Sequence, residues 1–235
     1  MSLMIAIATY DGKIHSETMR GIVQTAHFCG MKNIGISIEV RSHDAFIGKA
    51  RSILAEKFLA LGFNDLLYVD ADIGFSVKEV IRICKAKPDI VMGLYRMKID
   101  GPEETKQVKY PALMTDPIER NEEDPFLIKL KYGPAGFMRI RRPVLEAMAK
   151  KWPDEYWYDE IGHNENAKIH DFFPAGRTGN YFTGEDISFC NRALECGFDI
   201  YAMQGLELNH FGEKKWPATW QIDVPVVEEE QKEAA

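Results

Sequence analysis

The chain has 235 residues, 46% of them hydrophobic, and 29 Lys and Arg stand against 36 Asp and Glu, which gives a formal net charge of −7. This length and composition allow a full hydrophobic core and favour one domain over two. The negative charge and the absence of a basic stripe argue against a nucleic-acid partner, and no apolar run approaches the roughly 20 residues that cross a bilayer.

The four cysteines show no Cys-x-x-Cys pair and no zinc-finger spacing. We therefore expect buried thiols rather than disulfides or metal ligands. The N-terminus lacks the basic start and the long apolar run of a signal peptide. Together these features predict a cytoplasmic protein.

The first half of the chain alternates apolar strands with amphipathic helices. Gly30 and Gly62 follow two of the helical patterns and are expected to end them. This alternation implies an α/β fold with a mostly parallel sheet and helices on both faces. The predicted elements are strands 4–9, 33–40, 66–69 and 90–94 and helices 16–29, 46–61 and 77–85.

The second half is less regular. Residues 96–124 are polar and contain three prolines, which predicts a long functional loop or a lid. Residues 152–181 form a second irregular insert. The remaining predicted elements are strands 126–130 and 137–140, a helix opened by Pro143, a helix over 185–196 ended by Gly197, and a final strand over 200–209 that leads into His210.

The apolar strand 66–69 runs directly into the motif Asp70-Ala71-Asp72. Ligands of parallel sheets bind at the carboxyl ends of the strands. Two carboxylates spaced one residue apart on an extended segment point the same way, so both could face one hard cation that neutralises a diphosphate. The alternative is a plain strand end, because Asp72-Ile73-Gly74 suits a tight turn and Ser76 could cap the next helix.

Three further positions carry candidate chemistry. Glu185 and Asp186 open a helix, where acidic residues complement the helix dipole; two adjacent carboxylates also supply a base for an acceptor hydroxyl, which is the reading we favour. His210 follows the last strand, where a structural histidine is the common case, although an imidazole beside two carboxylates would suit a Mn²⁺-like ion. Arg51, near the start of its helix, could meet phosphate oxygens or lie on a solvated face.

Four motifs occur in a characteristic order along residues 4–212. They are Asp-Ala-Asp, Gly-Pro-Ala-Gly-Phe-Met-Arg-Ile-Arg-Arg, Gly-Glu-Asp-Ile-Ser-Phe-Cys-Asn-Arg and Leu-Asn-His-Phe-Gly. Together they resemble GT-A fold glycosyltransferases, particularly the small single-domain enzymes found in viruses and bacteria. The resemblance implies the α/β GT-A (nucleotide-diphospho-sugar transferase) fold as a single domain, which we place over residues 4–222. Residues 223–235 are acidic and lack periodicity, so we expect them to form a flexible tail.

The resemblance also implies roles for individual residues. The metal, Mn²⁺ or Mg²⁺, would be held by Asp70, Asp72 and His210 against the diphosphate of a nucleotide sugar. Glu185 or Asp186 would act as the catalytic base. The nucleotide sugar itself would be received by Thr9, Tyr10, Asp11, Arg51, Asp70, Ala71 and Asp72.

The implied activity is metal-dependent transfer of a sugar from a UDP- or GDP-sugar donor to a hydroxyl of a glycan, glycoprotein or glycolipid. A carboxylate base makes inversion the natural outcome, although retaining GT-A enzymes also carry carboxylates nearby. Two alternatives stay open: a catalytically inert glycan-binding module on the same fold, and a sugar-1-phosphate nucleotidyltransferase. The nucleotidyltransferase normally needs a Gly-rich phosphate loop, which residues 8–12 do not form. A dehydrogenase or a P-loop enzyme is not expected, because the sequence has no dinucleotide-binding or Walker motif.

Overall fold

The computed structural model describes residues 2–99, 109–158, 167–212 and 214–222. The predicted acidic tail and parts of the two predicted inserts lie outside these residues. The helices are α1 (Ser16–Met31), α2 (Ile47–Leu61), α3 (Val77–Lys85), α4 (Arg142–Lys151) and α5 (Glu185–Glu195). The strands are β1 (Ser2–Thr9), β2 (Gly35–Ser42), β3 (Asp65–Val69), β4 (Ile73–Gly74), β5 (Ile90–Gly93), β6 (Leu113–Met114), β7 (Leu127–Tyr132), β8 (Phe137–Arg141), β9 (Tyr156–Tyr158), β10 (Lys168–His170), β11 (Gly176–Thr178), β12 (Tyr181–Thr183), β13 (Ile200–Met203), β14 (Glu207–Phe211) and β15 (Lys215–Thr219).

An eight-stranded sheet forms the centre of the molecule, with strand order β2-β1-β3-β8-β5-β13-β7-β6. Six of these strands run in one direction, and β7 and β8 run in the other. All five residues of β3 are buried, as expected for a central strand covered on both faces. The sheet is therefore mostly parallel in strand direction, with antiparallel contacts wherever β7 and β8 insert.

Helices cover both faces of this sheet. Along β1, Leu3, Ile5 and Ile7 pack into the cluster shared with α1 and α3, whereas Met4 and Ala6 pack into the cluster shared with α2, α4 and α5. This alternation follows from the two-residue period of a strand. The prediction of helices on both faces is confirmed.

Two predicted boundaries in the first half were wrong. Strand β1 begins two residues before the predicted domain start, because Ser2 and Leu3 pair with β2 and Leu3 is buried. Helix α1 does not end at Gly30 but continues to Met31, and the left-handed residue that turns the chain is Asn33, with φ 53°. Gly62, in contrast, ends α2 with φ 77°, as predicted.

The predicted final strand, 200–209, is in fact two strands in two different sheets. Strand β13 lies in the main sheet, Gly205 turns the chain with φ 69°, and β14 joins a small sheet in the order β15-β14-β4. In this small sheet His210 is paired with Ile73. The break therefore moves His210 out of the main sheet and next to the segment that follows β3.

The cysteine prediction agrees with the structure: all four thiols are free, and Cys29, Cys84 and Cys190 are buried while Cys196 is half-buried. Within the described residues, no helix has both the length and the apolar character to cross a bilayer.

The start of α3 is fixed by the predicted Ser76 cap. The Ser76 hydroxyl accepts a hydrogen bond from the Lys78 backbone N–H at 3.3 Å, and the Glu79 carboxylate accepts one from the Ser76 N–H at 3.0 Å. This reciprocal arrangement satisfies two N–H groups that the helix itself leaves without partners.

We predict that Ser76→Ala lowers the free energy of unfolding by about 1 kcal/mol, measured by urea denaturation. The control is Ser16→Ala, because the cap of α1 is the imidazole of His15, which accepts from the Glu17 N–H at 3.2 Å. We expect the control to change stability by less than about 0.5 kcal/mol. An equal loss in both variants would contradict these cap assignments.

Candidate active site

A cavity of about 760 Å³ opens at the carboxyl ends of β1 and β3. These two strands are neighbours and run parallel, so the segments that follow them emerge side by side. Six of the predicted nucleotide-sugar residues line the cavity together, namely Thr9, Tyr10, Asp11, Asp70, Ala71 and Asp72.

Residues 70–72, here called the Asp-x-Asp turn, do not continue the strand. The Ile73 N–H donates to the Asp70 carbonyl at 3.1 Å, which closes a turn. The Asp70 carboxylate is bound by Arg51, whereas the Asp72 carboxylate contacts Lys98 and His210. The prediction that both carboxylates share one side of an extended segment is therefore wrong, and the alternative of a turn at the strand end is observed.

Arg51 lies beneath the cavity rather than on its surface. Its side chain is 4% exposed, and its two terminal nitrogens reach Asp70 Oδ1 at 2.8 Å and Glu185 Oε1 at 2.5 Å. Burial by itself would lower the pKa of Arg51, but the two carboxylates outweigh it, so the pKa lies above its usual value. Both arms are taken by protein, and this arrangement does not suit the predicted direct contact between Arg51 and the nucleotide.

The two candidate bases at the start of α5 differ in their surroundings. Glu185 is held by Arg51, whereas Asp186 accepts a hydrogen bond from the Ile187 N–H at 2.8 Å. Burial, and then the neighbouring charge of Glu185, raise the pKa of Asp186. Of the two, Asp186 has the surroundings that suit a base, because a base works best when its pKa approaches the working pH and it is not locked in an ion pair.

Main-chain pairing brings His210 to Asp72. The Phe211 N–H donates to the Asp72 carbonyl at 2.9 Å, and His210 Nε2 lies 3.6 Å from Asp72 Oδ1. His210 Nδ1 lies 2.8 Å from the Arg96 carbonyl, which can only accept, so Nδ1 carries the proton. In the neutral ring this leaves the Nε2 lone pair towards Asp72, the tautomer in which histidine binds metals.

The Asp72 carboxylate stays ionised. Burial by itself would raise its pKa, but the nearby His210 ring and Lys98 ammonium outweigh that effect and lower it. An ionised carboxylate beside an imidazole nitrogen is a donor pair that suits Mn²⁺.

The three predicted metal ligands do not form one cluster. Across the described ranges, no group of three or more His, Cys, Asp and Glu side chains stands close enough to hold a metal ion. Asp70 is bound to Arg51, and Asp72 and His210 remain as a pair. Two protein ligands of this kind suit a Mn²⁺-like ion that takes its remaining ligands from water and substrate phosphates.

Sequence reasoning missed two residues that shape the site, Tyr95 and Lys98, and it gave Gly136 no role. Gly136 belongs to the second motif, and a Cβ built on it would lie 2.4 Å from Asp70 Oδ2 and 2.3 Å from Tyr95 Oη. Tyr95 follows β5, is buried, and packs edge-on against His210 with ring centroids 5.0 Å apart. In the sequence, the only indication of a role for Tyr95 was its position after a predicted strand. Lys98, the other missed residue, stands in a segment without a pattern.

No protein-family model matches the sequence, and no curated protein is significantly similar to it. Among solved structures, A197 from STIV aligns with 17% identity and a TM-score of 0.52. The alignment covers 97% of this chain and 100% of A197, and it shows a shared fold.

Two glycosyltransferases align with lower TM-scores. A Drosophila β1,4-galactosyltransferase 7, solved with manganese, UDP-Gal and xylobiose, has 12% identity and a TM-score of 0.43 over 86% of this chain and 66% of its own. GalNAc-T7, solved with UDP, GalNAc and Mn²⁺, has 13% identity and a TM-score of 0.48 over 86% of this chain and 42% of its own. This chain therefore spans less than two thirds of either enzyme.

The predicted fold class is confirmed, since the large sheet with helices on both faces has the expected architecture.

We predict that Gly136→Ala destabilises the protein by about 1–3 kcal/mol, because the added methyl overpacks a site bounded by buried groups. It should also displace the Asp70 carboxylate. Urea denaturation measures the first effect. The control is Gly30→Ala in α1, where a Cβ meets no atom within 4 Å, and there we expect no loss and a gain of up to about 1 kcal/mol. Equal stability of Gly136→Ala and the parent chain would show that the site tolerates the methyl.

Proposed function

We propose that the chain is a metal-dependent glycosyltransferase that moves a sugar from a nucleotide-diphosphate donor to an acceptor hydroxyl. The observation that carries the proposal is the pairing of Asp72 with His210, whose Nδ1 faces the Arg96 carbonyl, where the Asp-x-Asp turn lines the 760 Å³ cavity. That volume lies within the range of small-molecule sites.

The donor would lie between the segment that follows β1 and the Asp-x-Asp turn that follows β3. Thr9, Tyr10 and Asp11 would receive the nucleotide of a UDP- or GDP-sugar, and the Asp-x-Asp turn would face its diphosphate. Asp72 and His210 would hold Mn²⁺ or Mg²⁺. Such an ion, when bound, offsets the negative charge that develops on the leaving diphosphate.

Asp186 would accept the proton of the acceptor hydroxyl as the sugar carbon gains oxocarbenium character. Arg51 holds Glu185 and Asp70 in place, and so would act as a positioning residue for the base and the turn. A base on the face opposite the leaving group gives inversion. The acceptor class is a hydroxyl of a glycan, glycoprotein or glycolipid.

The test is metal-dependent nucleotide binding. We expect calorimetry to detect UDP, GDP or one of their sugar conjugates binding in Mn²⁺ and to lose the signal in chelator and in Asp72→Ala. The matched control is Asp199→Ala, an exposed carboxylate before β13 at the opposite end of the sheet, which should bind like the parent chain.

Binding that survives both chelator and Asp72→Ala would contradict a metal-assisted donor site. If the chain binds glycans but no nucleotide, the inert glycan-binding module becomes the better description.

A second prediction follows from the raised pKa of Asp186. A base must be deprotonated, so turnover should fall as the pH drops through that pKa, and the acid limb should lie above about 3.9, the value of an ordinary aspartate. We expect Asp186→Asn to lower kcat by about 10²–10⁴-fold with nucleotide binding retained.

The measurement is kcat/KM against pH with the donor that calorimetry identifies. Glu195→Gln, an exposed carboxylate at the far end of the same helix, serves as the control and should leave the profile unchanged. An Asp186→Asn variant with full turnover would remove Asp186 from the mechanism.

A further inference from the structure

Lys98 is a charged residue of the cavity to which the reaction described above gives no role. It lines the cavity with the Asp-x-Asp turn, and its ammonium forms an ion pair with Asp72 Oδ2. Neither partner is fully buried: the Lys98 side chain is 32% exposed and that of Asp72 40%. The pair can therefore open without a large rearrangement of the core.

The Asp72 carboxylate is thus shared between two different partners. His210 Nε2 faces Oδ1, and the Lys98 ammonium contacts Oδ2. The carbonyl that orients His210 belongs to Arg96, two residues before Lys98, so one short segment supplies both the orienting group and the ammonium.

The stem of Lys98 lies against Gly212. A Cβ built on Gly212 would stand 3.2 Å from Lys98 Cδ and 3.5 Å from Cε. The glycine of the Leu-Asn-His-Phe-Gly motif therefore leaves room for the lysine stem beside the strand that carries His210.

We propose, on the basis of the proposed function, that Lys98 is an exchangeable counter-ion for Asp72. Its ammonium neutralises the carboxylate before a divalent cation binds, and it then moves to the diphosphate oxygens of the donor.

Electrostatics supports the exchange. An ammonium and a divalent cation within a few ångströms of each other repel, so each weakens the binding of the other to the same carboxylate. A lysine has a flexible four-carbon stem and three rotatable donors, which lets the charge change partners while the backbone stays in place. A diphosphate in the same cavity offers the released ammonium a more highly charged partner than Asp72.

If Lys98 has this role, its replacement should change the affinities for Mn²⁺ and for nucleotide in opposite directions. In Lys98→Met the competitor for Asp72 is gone, so Mn²⁺ should bind more tightly. The same variant has lost a phosphate partner, so nucleotide should bind more weakly once Mn²⁺ is saturating. A lysine that merely supported the local structure would weaken both.

The experiment uses the full chain and calorimetry. Without nucleotide, we expect Lys98→Met to bind Mn²⁺ about fivefold more tightly than the parent chain. Lys98→Arg keeps the charge, and Lys13→Met removes another cavity lysine that pairs with Asp11 at 3.0 Å, so both should stay within about twofold. With saturating Mn²⁺, Lys98→Met should bind UDP or GDP, whichever the parent chain takes, about fivefold more weakly.

The possible outcomes distinguish failure of the counter-ion role from failure of the proposed function. Unchanged Mn²⁺ affinity in Lys98→Met, no measurable Mn²⁺ binding to it, or a fall in both affinities would overturn the counter-ion role. If nucleotide binding still needs the metal and Asp72, the proposed function survives that result. Nucleotide binding that is indifferent to metal in the parent chain overturns both.

Discussion

One buried guanidinium joins three separate parts of the chain, and the site depends on it. Arg51 belongs to α2, Asp70 follows β3 and Glu185 opens α5, and the two short ion pairs hold these elements together under the cavity. A buried charge needs its partners, because an unpaired one costs several kcal/mol. Gly48 allows α2 to pack closely against the chain at Phe173, because a Cβ on Gly48 would lie 2.3 Å from the Phe173 carbonyl oxygen.

This constraint divides four carboxylates into two kinds. Asp70 and Glu185 are committed to Arg51 and serve as structural anchors for the turn and the helix start. Asp72 and Asp186 are the two carboxylates that the proposed function uses, and their pKa values move in opposite directions, down for Asp72 and up for Asp186. Opposite pKa shifts in two carboxylates suit different tasks, one as a permanent charge and the other as a proton carrier.

Local patterns predicted the βα alternation, because an apolar run, a cap such as Ser76 and a terminal glycine such as Gly62 act over a few residues. They failed where distant partners decide the outcome. The divergence of Asp70 and Asp72 is set by Arg51 on one side and His210 on the other. The antiparallel direction of β7 and β8, and the split of the last strand, likewise depend on pairing between remote strands. A continuous apolar run indicates that a strand is buried, but it does not identify the strands that pair with it.

The small sheet β15-β14-β4 also has a consequence for how the site is assembled. Asp72 and His210 are separated by more than half of the chain, and only the pairing of β14 with β4 brings them together. Closing the chain between such distant residues costs conformational entropy, which the docking of the last strands has to offset. A partly folded chain, or a fragment that ends before β14, therefore possesses the acidic turn without its imidazole, and the donor pair exists only once the last strands have docked.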